Sequence, residues 1–268
     1  MHRALTFILT ILLAPWALGQ DPFGDEPLFQ KETTATIVPE STVVEPGDFF
    51  RVAFTLDLQP HYHAFYKNGG IVGDPPSVDW KLPEGFTAGE LMFPRPSVIS
   101  SESAEATTIL YGYEETATFL VKIFASADLE EGKELTIEGV FKWQECNEIC
   151  IQGDKDFSFK IKTSDETDFP EAVEDLFLEA SDRLPQGGSA WGIGATEKEN
   201  TITLEVAYPE AMTITEPVYF FSDDKQIDSQ APQKVNLTSG KIVLTLARNE
   251  GNKELFIDPG EVAESLTG

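Results

Sequence analysis

Stretches that alternate apolar and polar residues, cut apart by proline and glycine, leave this chain little choice of fold. FFRVAFTLDL (49 to 58), TATFLVKIFA (116 to 125), ELTIEGVFKW (134 to 143) and DFSFKIKT (156 to 163) are rich in Phe, Val, Ile and Thr, which suit a pleated, half-buried surface. A period of two sets one face of each strand against a core and the other toward water. VEPGD, GDPPS and LPEGF interrupt these runs with residues that favour turns. The expectation is an all-β protein built on an antiparallel, immunoglobulin-like β-sandwich.

One segment breaks the period. FPEAVEDLFLEASDRL (169 to 184) repeats Ala172, Val173, Leu176, Phe177 and Ala180 at helical spacing, with Pro170 in the first turn, and predicts a short connecting helix. PQGGS (185 to 189) reads as a linker. Beyond it, TITLEVAY (201 to 208), PVYFFS (217 to 222) and KIVLTLA (241 to 247) predict a second, smaller β domain. The expected organisation is a leader over 1–20, a sandwich over 30–165, helix and linker over 166–189, and a small β domain, read as truncated, over 190–268.

MHRALTFILTILLAPWALGQ opens the chain with a basic start, an apolar run and a small-residue site near Ala17-Leu18-Gly19, the layout of a secretory signal peptide. The apolar run falls short of the roughly 20 residues a transmembrane helix needs. The mature chain is therefore expected outside the cytoplasm, where a disulfide persists. Against 46 acidic residues stand 19 basic ones, a net charge of −27. Such a surface repels phosphate backbones and anionic lipid, so no nucleic-acid partner is expected.

The chain contains two cysteines, Cys146 and Cys150, inside FKWQECNEICIQG. As a staple they would close a loop of about five residues, contributing roughly 2 kcal/mol against nearly 5 for a loop of about 100. A short, locally closed pair suits opening and closing, because breaking it disturbs one turn. Redox exchange, a structural staple and metal ligation all remain open on spacing alone. For metal, His61 and His63 in QPHYHAFYKN would share a face if both lay on a strand. Two imidazoles with two thiolates suit zinc or copper(I), but nothing in the sequence brings residue 63 near residue 146. No GxSxG elbow, HExxH helix or P-loop is present, and no cofactor is expected. Trp80 and Trp143 read as core anchors.

Four motifs, in order, carry a resemblance. HYHAFYKNGGIVGDPPSVDWKLPEGF with FPRP, then LYGYEE, then FKWQECNEICIQG resemble the periplasmic amino-terminal region of the DsbD and ScsB thiol:disulfide interchange proteins, over about residues 33 to 163. VYFFSDDKQIDSQAPQ is similar, more weakly, to that family's additional periplasmic β domain. The resemblance implies a periplasmic oxidoreductase component that takes electrons from a thioredoxin-like donor and passes them to oxidised periplasmic proteins. It implies Cys146 and Cys150 as the redox pair, with Cys150 favoured for mixed disulfides. It also implies that Leu110, Tyr111, Gly112 and Tyr113 form a cap loop restricting access to the disulfide, although Tyr111 and Tyr113 equally suit cross-strand packing. Either the chain is a fragment of a longer membrane protein or a separate membrane electron-transfer subunit supplies the reductant. The competing expectation, from a different class, is a non-catalytic periplasmic module that binds copper or a protein partner and keeps a fixed disulfide.

Glu145, Glu148 and Asp154 surround the cysteines, offset by Lys142 and Lys155. Negative neighbours disfavour a thiolate, so each reduced cysteine is expected to keep an ordinary or raised pKa and to exchange mainly inside a complex.

Overall fold

The computed structural model describes residues 32–102, 107–187, 191–209, 211–215 and 217–252. The leader at 1–20, the last residues of the linker and the end of the chain lie outside them. Two sheets form the sandwich. The first orders β1 (Thr34–Pro39), β3 (Phe49–Asp57), β9 (Thr116–Ala125) and β6 (Phe86–Ala88), all antiparallel neighbours. The second runs β2 (Val43–Val44), β11 (Cys150–Thr163), β10 (Glu134–Cys146), β4 (His63–Gly70), β8 (Thr107–Glu114), β7 (Ser97–Glu102), with β5 (Ser77–Lys81) also paired to β10.

Alternation dictates what lies between the sheets. Phe50, Val52, Phe54 and Leu56 of β3 and Ala117, Phe119, Val121 and Ile123 of β9 turn inward, meeting Ile137, Phe141 and Trp143 of β10. Phe54 touches Trp80, Phe141 and Phe157 with centroids 5.0 to 5.7 Å apart, the tilted and edge-on contacts aromatic rings prefer. Gly153 lies opposite Trp143 in the β10–β11 register, and a Cβ there would sit 2.2 Å from the indole. The glycine gives the ring its place in the core.

The outer face of the first sheet is covered by α1 (Glu171–Asp182). Pro170 precedes it in extended conformation, where a missing N–H costs the helix nothing. Val173, Leu176, Phe177 and Ala180 pack on Ala53 and Leu120, whereas Ala172 faces solvent. Arg51 fixes this seat: its guanidinium lies 5.1 Å from the Phe177 ring centroid and donates to Ser181 Oγ at 2.6 Å and Glu40 Oε2 at 2.8 Å.

A third, antiparallel sheet orders β12 (Gly192–Lys198), β13 (Thr201–Ala207), β15 (Lys241–Ala247) and β14 (Lys234–Thr238) over Ile202, Ile242, Leu244 and Leu246. PVYFFS, expected as a strand, joins no ladder. Its side chains alternate between two cores: Val218 and Phe220 pack on the third sheet, Tyr219 and Phe221 on the sandwich.

The contact region on the sandwich is a bulge. Between Phe65 and Gly70 the β4–β8 register slips, so five steps along β4 answer two along β8, from Gly112 to Leu110. A bulge re-aims side chains. Here Tyr66 donates to Asp223, the Lys67 ammonium lies 3.1 Å from Asp223 Oδ2, and buried Asn68 donates to the carbonyls of Ser222, at 3.1 Å, and Asp224. Asn68→Ala should therefore lower stability by about 1–3 kcal/mol by leaving the buried Ser222 carbonyl without its donor. Urea melts with limited proteolysis between 187 and 233 check it.

Candidate functional site: the disulfide at the β10–β11 turn

β10 and β11 form the longest hairpin among the described residues, and its register ends on Cys146 opposite Cys150. The two are joined as a disulfide with Cα atoms 4.1 Å apart. Asn147 N–H donates to Ile149 O at 3.1 Å across the intervening turn. The sulfurs have unequal surroundings. Cys146 is 3 % exposed and packs with Phe65, Ile99 and Leu110. Cys150 is exposed, and its neighbours Ile149 and Ile151 are 65 % and 37 % exposed.

Phe65 is the floor of this cluster. It is fully buried, and the loop after β4 closes over it so tightly that a Cβ on Gly73, which has φ +99°, would approach the ring to 2.3 Å. That loop is tied to β10 by Asp74 N–H, which donates to Gln144 Oε1 at 3.0 Å.

The stretch expected as a cap loop is strand instead. Leu110, Tyr111, Gly112 and Tyr113 are the buried centre of β8. Leu110 alone reaches Cys146. Tyr111 faces the other way, 3.1 Å from the Tyr219 hydroxyl, and Tyr113 donates to Pro94 O at 2.8 Å. Burial raises both phenol pKa values, so both tyrosines keep their protons near neutrality. Gly112 lets β4 and β8 approach: a Cβ there would lie 2.1 Å from Ala64 O.

The histidines separate. His61 sits exposed in the turn before β4 with φ 69°, so the pair does not share a strand face. His63 begins β4 directly opposite Cys146 and, on its other side, opposite Glu114. Long-range register thus brings residue 63 beside residue 146, which the sequence did not show. His63 is 7 % exposed and edge-on to Phe65 at 5.2 Å. Among the described residues its buried Nε2 has no hydrogen-bond partner. Burial lowers its pKa from 6.5, partly opposed by the Glu114 carboxylate. Among the described residues no three His, Cys, Asp or Glu cluster as metal ligands.

Because the folded imidazole resists protonation, acid favours the unfolded chain, whose histidine binds a proton first. The His63 contribution is intact above its unfolded pKa of 6.5 and is lost as pH falls through that value toward the lower folded one. In urea melts at about pH 7.5 and about pH 5, His63→Gln should lose less stability on acidification than the wild type.

Of the charges flanking the cysteines, Glu145 turns to the inner face, where Gln59 Nε2 donates to it at 3.2 Å and Thr33 Oγ1 also donates. Lys142 is engaged by Asp79. Glu148 stays exposed in the turn.

No helix among the described residues is long and apolar enough to cross a membrane. No curated protein sequence matches the chain significantly. Among solved structures, the N-terminal periplasmic domain of ScsB from Proteus mirabilis is similar, with a TM-score of 0.60 at 13 % identity over 85 % of this chain and 84 % of that one. Weaker likenesses to AvmM, which catalyses macrocyclization in alchivemycin A biosynthesis (TM-score 0.27, 10 % identity, 50 % and 90 % covered), and to the sporulation control protein Spo0M of Bacillus subtilis (0.24, 11 %, 88 % and 98 %) carry no argument. The family described as thiol:disulfide interchange protein DsbD, N-terminal, matches residues 29–161. That span takes in both sheets of the sandwich and the disulfide at the hairpin tip, and over it the chain carries a domain of the DsbD N-terminal family.

Proposed function

We propose that this protein relays reducing equivalents in the periplasm through Cys146 and Cys150, from a thioredoxin-like donor to oxidised proteins. The observation that carries the reading is the asymmetry of the disulfide, one sulfur buried and the other exposed at a hairpin tip. A donor thiolate attacks the sulfur it can reach, Cys150, and Cys146 departs into the sheltered side of the bond. The apolar rim of Ile149 and Ile151 gives a docking protein dry surface around the reacting sulfur. Opening the bond frees one turn and leaves the ladders of β10 with β4, β5 and β11 in place.

Equilibration in graded glutathione and dithiothreitol buffers with thiol counting tests this. A relay titrates reversibly at a potential above about −300 mV, whereas a fixed staple resists until below it. Resistance would leave a binding module with a structural disulfide.

A further inference from the structure

We infer that His63 is the proton acceptor for the Cys146 thiol when the disulfide re-forms, a role that rests on the relay reading above. The second sheet aligns four chemical groups in one cross-strand row: Glu114 on β8, His63 on β4, Cys146 on β10 and Cys150 on β11. Directly opposed residues in an antiparallel pair carry Cβ atoms about 4.5–5.5 Å apart on the same face of the sheet. The row therefore reads carboxylate, imidazole, buried sulfur, exposed sulfur. Around the imidazole this face carries Phe65, Ile99 and Leu110, and further along it stand Gln144, Gln152 and the ionised Lys142 and Asp154 of β10 and β11. Glu114 and the two sulfurs are the titratable groups in the imidazole's own cross-strand row. His61 lies in the turn before it.

Burial and an unpartnered Nε2 make His63 expensive to keep in place without a use. An imidazole kept neutral by burial is a base, and a buried thiol with no cation beside it needs one.

The step balances as follows in the direction that reduces an acceptor. The Cys150 thiol loses its proton to water and its thiolate attacks the acceptor disulfide, forming a mixed disulfide and expelling one acceptor thiolate. The Cys146 S–H then gives its proton to the His63 imidazole opposite it. The Cys146 sulfur attacks the Cys150 sulfur, the protein disulfide forms, and the second acceptor sulfur leaves with the electron pair. His63 passes its proton to solvent on the Glu114 side. Two protein thiols are oxidised, one acceptor disulfide becomes two thiols, and both protons are accounted for. In reverse, the imidazolium protonates Cys146 as it leaves.

Reduced full-length protein mixed with oxidised glutathione, acid-quenched and read by mass spectrometry, resolves adduct formation from ring closure. With His63→Gln, adduct formation should keep its wild-type rate while closure near pH 7 slows by about tenfold or more. Wild-type closure should quicken through an ionisation below 6.5, and the variant's only through the thiol range near 8.5. Glu114→Gln keeps the imidazole but removes the carboxylate that raises its pKa, so the lower inflection should move down in pH; this variant serves if His63→Gln misfolds. Closure with unchanged rate and pH profile in either variant overturns the inference. Wild type that forms no adduct removes the relay reading with it, whereas adducts that close regardless of His63 remove this inference alone.

Discussion

Cys146→Ser should accumulate mixed disulfides with oxidised protein partners, while Cys150→Ser should accumulate none. The expected effect is all or none because exchange requires an incoming sulfur to approach along the bond it breaks. Cys150 offers that approach at an exposed turn, with Ile149 and Ile151 beside it. Cys146 is enclosed by Phe65, Ile99 and Leu110. Without Cys146 the adduct cannot be resolved from within and persists. Without Cys150 the remaining thiol meets no partner. Loss of either cysteine should leave the fold intact, since the closed loop of about five residues contributes only about 2 kcal/mol. Non-reducing gels after incubation with an oxidised thioredoxin-like protein give the answer. Adducts on Cys150→Ser and none on Cys146→Ser would reverse the assignment of the two sulfurs.

Phe65→Ala should lower stability by about 3–5 kcal/mol, the range for truncating a buried phenylalanine, and should act at the disulfide as well. The ring is fully buried, supports Cys146 from below, meets His63 edge-on and fills the space left by Gly69 and Gly73. Few neighbours can collapse into its place, because the loop above it is tied to Gln144 and β4 is held between β8 and β10. Urea unfolding measures the stability loss. Alkylation of the reduced variant should show Cys146 reacting faster than in the wild type. A loss below about 1 kcal/mol would mean that the site collapses around the cavity.

Much of the fold was legible because local pattern and tertiary environment agreed. β9 spans 116–125, as the alternation of TATFLVKIFA predicts, because one of its faces meets the sandwich core. Its other face puts Leu120 under a helix, and Lys122 and Phe124 toward solvent. The helix was legible from its apolar spacing except at Ala172, which falls outside the buried stripe. Reading failed where both faces of a segment are covered. Leu110 and Gly112 face one side of β8 and Tyr111 and Tyr113 the other, all buried, so LYGY has no polarity to alternate. PVYFFS lies between two cores in the same way. That Cys146 and Cys150 stand close enough to join was legible from their spacing, and they are joined. The row from Glu114 to Cys150 was not legible, because it depends on which strands become neighbours, and β4, β8 and β10 lie far apart in sequence. Nothing in the local sequence pairs Tyr66, Lys67 and Asn68 with Ser222, Asp223 and Asp224, which the bulge brings them to meet.

The alternating segment from Val218 to Phe221 bears on how short the protein can be made. A chain ending near Thr163 would strip Tyr219 and Phe221 from Tyr66 and Tyr111 and wet the aromatic surface they cover. Such a fragment should self-associate or precipitate, so the smallest well-behaved piece that carries the disulfide extends past these aromatic rings.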